Sequence, residues 1–107
     1  MKVNILGTDY KIEKHREKED PKLEDANGYC ETYSKKIVVE EVLHHPRNLE
    51  EIGKFEEKVL RHEIVHAFLH ESGLDNCSGW ATNEEIVDWI ALQAPKLVIA
   101  FGEANCL

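Results

Sequence analysis

Paired cysteine spacing is missing from this chain: Cys30, Cys77 and Cys106 are odd in number and form no CxxC. A reduced, cytoplasmic compartment is the simplest expectation, with no cysteine-built metal site. The N-terminus lacks a basic region followed by an apolar run. Nor does any apolar stretch approach the roughly 20 residues that span a bilayer; KLVIAF at 96–101 is far too short. Positive charge is also scarce, with 13 Lys and Arg against 21 Asp and Glu, a net charge of −8. Such a field repels phosphate backbones and anionic lipid, so neither nucleic acid nor membrane is an expected partner. Internal repeats and low-complexity segments are absent too.

What remains is 107 residues, 42% hydrophobic and 32% charged, with apolar periodicity in the second half. That suits one small folded domain over residues 1–107, with any site close to its surface. The opening MKVNILGTDYKIEK predicts a β-hairpin turning near Gly7, Thr8 and Asp9. Residues 14–27 are almost all charged and contain a proline, which predicts an exposed connection or a short solvated helix. NGYCETYSKKIVVEEV predicts a second hairpin about Ser34, Lys35 and Lys36, with KIVVEE as its later strand.

Asn48 is placed to cap a helix, with Glu50 and Glu51 favouring the positive end of its dipole. Ile52, Phe55, Val59, Leu60, Ile64 and Phe68 then trace one apolar stripe up to Gly73, a C-terminal stop. After the loop GLDNCSG, Thr82 or Asn83 can cap a second helix, TNEEIVDWIALQA, with Ile86, Ile90 and Trp89 toward the core and Pro95 kinking or restarting it. Trp80 is expected in the core as well, Tyr29 and Tyr33 are read as strand residues of which one could reach a cleft, and His44 and His45 as surface histidines.

The first helix contains HEIVH at 62–66. Residues four apart share a helix face, so His62 and His66 can offer two imidazole nitrogens to one zinc ion at roughly 2.0–2.1 Å. Glu63 then projects beside the metal, where a carboxylate can take a proton from an acidified water. With six histidines and 16 glutamates, about 0.05 HExxH matches arise by chance, so the reading depends on the mid-helix context and on the apolar Ile64 and Val65 between the ligands. A third ligand is required, and His70, Glu84 and Glu85 are candidates. His70 lies about 12 Å along the helix from His62, too far for one ion to reach both easily. The pattern HExxHxxGxxH is absent, since Leu69 holds the glycine position and Ser72 the last.

HEIVH followed by NEEIVD resembles the gluzincin arrangement of thermolysin-type peptidases. That resemblance implies Glu84 rather than Glu85 as the third ligand, and Asp88 as the carboxylate that orients a ligating histidine, a common arrangement around metal sites. In order of elements over residues 1–101, and in motif detail over 60–91, the chain is similar to ImmA/IrrE-like zinc metallopeptidases, particularly compact phage and prophage forms. The resemblance implies an α+β, zincin-like fold: an N-terminal antiparallel sheet, an active-site helix and a second ligand-bearing helix. It also implies Zn2+ and a cytoplasmic protein or peptide substrate, which we expect to lie extended along the sheet edge near KIVVEE. Two other readings are a zinc-stabilised protein that sequesters a partner without cutting it, and a structural or phage-assembly protein whose histidines bind nothing.

Overall fold

The computed structural model describes residues 1–42 and 50–107. It is an α+β fold, a four-stranded sheet followed by two long helices. β1 (Lys2–Ile5) and β2 (Thr8–His15) form the first hairpin. Leu6 and Gly7, with φ of +50° and +94°, make its two-residue turn, one step earlier than expected. Positive φ at both central residues matches the right-handed twist of the flanking strands, and Gly7 adopts it without strain. β3 (Gly28–Glu31) and β4 (Lys36–Glu40) form the second hairpin.

The strand order is β1-β2-β4-β3, and β2 pairs with β4 in parallel. The sheet is therefore mixed, not antiparallel throughout. β4 is an interior strand, so the sheet edge near KIVVEE is not KIVVEE itself but its neighbour β3, the edge beside the helices. The reason lies in the crossover: residues 16–27 carry the chain past β2, and the hairpin folds back so that β4 enters between β2 and β3. Ile37, Val38 and Val39 are all buried, as a strand covered on both faces requires.

The connection itself is less solvated than its charge suggests. It forms two 3₁₀ turns, Glu17–Glu19 and Pro21–Leu23, and Leu23 is buried. Tyr29 Oη donates to Asp20 Oδ2 at 2.6 Å, and His15 Nδ1 lies 2.7 Å from the same oxygen. Tyr29 is thus spent in pinning the connection, and Asp20 is held at about 2 by these hydrogen bonds, Tyr29's first.

α1 (Ile52–Glu71) lies across the sheet, and its Val59 and Ala67 join Ile5, Tyr10, Ile37 and Val39 in one core. The expected cap Asn48 and the histidines His44 and His45 lie outside the described residues. Phe55, Leu60 and Ile64 pack at the margin of the core as anticipated, whereas Phe68 is exposed. Gly73, at φ +83°, ends the helix. Glu71 fastens this end to the sheet, accepting from Tyr10 Oη (2.7 Å), Thr8 Oγ1 (3.0 Å) and Lys35 Nζ (2.8 Å).

α2 (Glu84–Glu103) starts at Asn83, whose side chain accepts from the Ile86 N–H, and packs on α1. It runs unbroken through Pro95, so of the kink or restart expected there the restart does not occur. Proline removes the N–H that would bond Ala91 C=O one turn back. Arg61 of α1 supplies the missing donor, its Nε lying 2.6 Å from that oxygen. Val87 and Ala91, not Ile86 and Trp89, face the core, with Ile90 half-buried beside them; Trp80 and Trp89 are both exposed. No described helix is long and apolar enough to cross a membrane.

Candidate metal centre

α1 places His62 and His66 one turn apart, with their Nε2 atoms 3.2 Å from each other. Two nitrogens bound tetrahedrally at 2.0–2.1 Å stand roughly 3.3 Å apart, so the pair already has the separation a zinc ion requires. The short 3₁₀ turn Gly79–Thr82 brings α2 into place: Ala81 packs with Leu69 and Val87 in a second buried cluster, and Asn83 caps the helix one residue before Glu84. Glu84 then reaches both histidines. Its Oε2 is 2.9 Å from His62 Nε2 and its Oε1 is 3.0 Å from His66 Nε2.

Asp88, one turn further along α2, lies behind this group. His62 Nδ1 donates to Asp88 Oδ1 at 3.2 Å, and Lys58 Nζ approaches the same oxygen at 3.1 Å. The hydrogen bond from Lys58 is the first reason that the Asp88 carboxyl titrates below its ordinary value. A proton on Nδ1 leaves the Nε2 lone pair of neutral His62 directed at Glu84. Burial, above all, holds His66 below the usual histidine value and so favours its neutral form. Lone pairs from two imidazoles and a carboxylate therefore converge on one small volume, a donor set that fits a divalent cation of zinc's preference.

Glu63 occupies the buried side of the site and is only 7% exposed. Its carboxylate and the two imidazoles offer atoms all within 4.8 Å of one another. Glu84, by contrast, is the carboxylate at contact distance from both Nε2 atoms. Burial is the first cause, and Glu84's charge an additional one, of the rise of the Glu63 carboxyl to about 7, against the lowering effect of His62.

The group lines a cleft between β3 and the start of α2. On one side is a cavity of about 410 Å³ reaching Cys30, Thr32 and Asp75, and on the other a cavity of about 200 Å³ reaching Asn27 and Lys58. Gly28, His62, Glu63 and Glu84 line both. A Cβ on Gly28 would stand 2.9 Å from Val38 O and from Val59 Cγ1, so only glycine lets the edge strand come this close to α1. Sequence reading passed over Gly28, although a glycine within a strand is itself a sign of close backbone approach.

Other candidates fall elsewhere. His70 is turned to Asp75, with Nδ1 2.9 Å from Oδ2, and takes no part in the His62–His66 pair. Glu85 is exposed and contacts neither histidine. Tyr29, a strand residue that lines the cleft, donates its hydroxyl to Asp20, whereas Tyr33 lies in the turn between β3 and β4 rather than in a strand and is exposed, its ring 6.0 Å from that of His70. Cys30 lines the cleft, its thiol pushed up to about 12 by burial first and by Glu63 second. No family model matches the chain, and no curated protein or solved structure matches it.

Proposed function

We propose that the protein is a zinc-dependent metallopeptidase of the gluzincin, ImmA/IrrE-like kind, acting on a peptide or protein in the cytoplasm. In this reading His62, His66 and Glu84 hold Zn2+, Asp88 orients His62, and Glu63 is the general base. The observation that carries it is a buried carboxylate beside two imidazoles that a second carboxylate bridges, all lining a cleft. When bound, zinc would acidify a water and polarise a peptide carbonyl. Glu63 would accept the water's proton at a carboxylate oxygen and pass it to the departing amine nitrogen.

Among the described residues, β3 is the edge strand of the sheet that lines the cleft. An extended peptide can add to Gly28–Glu31 as a further strand, its carbonyls brought past Glu63 by backbone hydrogen bonds. Three unpaired cysteines support a reducing compartment.

Glu63→Gln tests the reading because it keeps size and polarity while removing the base. Zinc content and fold should survive while hydrolysis of a peptide library falls at least about 100-fold. A wild-type protein that holds zinc, cuts nothing and acts on a partner as well as Glu63→Gln does would instead be the sequestering protein.

A further inference from the structure

Lys58, His62 and His66 follow one another along α1 at four-residue steps and so share one face, and on α2 Glu84 and Asp88 do the same. Glu84 reaches across to His62 and His66; Asp88, one turn on, reaches to Lys58 and His62. Lys58 Nζ (3.1 Å) and His62 Nδ1 (3.2 Å) meet at the same oxygen, Asp88 Oδ1. The ammonium also lies 5.8 Å from the centre of the Phe55 ring, and Phe55 packs against the core. Among the described residues Lys58 is the one lysine or arginine that lines either cavity of the cleft, on the smaller side beside His62, Glu63 and Glu84.

Asp88 needs a second hold. Its side chain is 47% exposed, and one hydrogen bond at 3.2 Å does little to confine a solvent-facing carboxylate to a single rotamer. The charge of Glu84, one turn away on the same face, pushes against it as well. We propose that Lys58 is a positioning residue for the metal centre and acts through Asp88: its ammonium anchors Oδ1 where His62 Nδ1 meets it, which keeps Nε2 of His62 aimed at the ion. The inference rests on the reading of His62, His66 and Glu84 as zinc ligands. A cation beside the site also repels zinc directly, and this opposes the positioning effect. Repulsion acts through space whether residue 88 is Asp or Asn, whereas positioning exists only with Asp88, so a double-variant cycle separates the two.

Zinc affinity, read by competition with a chromophoric chelator, is compared for wild type, Lys58→Met, Asp88→Asn and the double variant, with circular dichroism showing all four equally helical. With Asp88 present, Lys58→Met weakens zinc about 3- to 10-fold, less than the roughly 10- to 100-fold that follows loss of the orienting carboxylate itself. In the Asp88→Asn background the same change leaves zinc affinity unaltered or tightens it. Lys58→Arg keeps a cationic donor within reach of Oδ1 and stays within about twofold of wild type. Equal weakening by Lys58→Met in both backgrounds, or none with Asp88 present, would overturn the proposal and leave the ligand set standing. A wild type that takes up no zinc would overturn the ligand set and this inference with it.

Discussion

Neutral imidazole nitrogens and an ionised carboxylate do not settle 2.9–3.2 Å apart unless something positive stands among them, a proton or a metal ion. His62, His66 and Glu84 are therefore the residues whose replacement should be felt first in zinc affinity. Glu84→Gln is expected to weaken zinc strongly and Glu85→Gln hardly at all, while Asp88→Asn, which loosens the hold on His62 Nδ1, lowers affinity about 10- to 100-fold. Competition with a chromophoric chelator measures all three, and equal losses for Glu84→Gln and Glu85→Gln would remove Glu84 from the ligand set. The approach of His62 to His66 was legible because residues one helical turn apart share a face, a local property of the chain. The tryptophans were not legible, because which face of an element is covered depends on neighbours distant in sequence.

Among the elements, the α1–α2 crossing is where local chemistry and packing meet. Pro95 leaves Ala91 C=O without its helical donor, and Arg61 replaces it from the neighbouring helix. Arg61→Leu strands a buried carbonyl, which costs about 1–3 kcal/mol. Pro95→Ala restores an N–H to the same oxygen, so in that background the cost of Arg61→Leu should fall to less than half. Denaturant midpoints of the four proteins give the coupling, and additive effects would show that Arg61 acts elsewhere. Periodicity and turn residues were enough to read both helices and both hairpins from the sequence. Strand order was not readable the same way, since pairing joins residues that no local pattern connects; the one available sign was the unbroken run Ile37-Val38-Val39, which suits an interior strand better than an edge.

For the whole molecule, two acidic anchors and the candidate metal centre bear on the response to conditions. Asp20 and Glu71 are each held at about 2, Asp20 chiefly by Tyr29 and Glu71 chiefly by Lys35. Carboxylates depressed in this way contribute fully above their unfolded values near 4 and lose that contribution as pH falls toward 2. His15, raised by Asp20 and Glu13, runs the other way, contributing below its ordinary value of 6.5 and losing this above its raised one. With chelator present, stability should therefore decline on acidification from about pH 4 to about pH 2, and Glu71→Gln should flatten that decline in urea titrations. In the proposed reading metal would add a separate term, because its ligands would come from both helices and no such site persists in the unfolded chain. At free zinc about 100 times Kd, the folded state gains about 2.7 kcal/mol, which for a domain of this size raises Tm by roughly 10–20 °C. Chelation of untagged protein should remove this increment, and His62→Ala should melt at the chelated value whether or not zinc is present. An unchanged Tm in wild type after chelation, with no zinc in the purified protein, would leave the histidines without a metal and the peptidase reading without its cofactor.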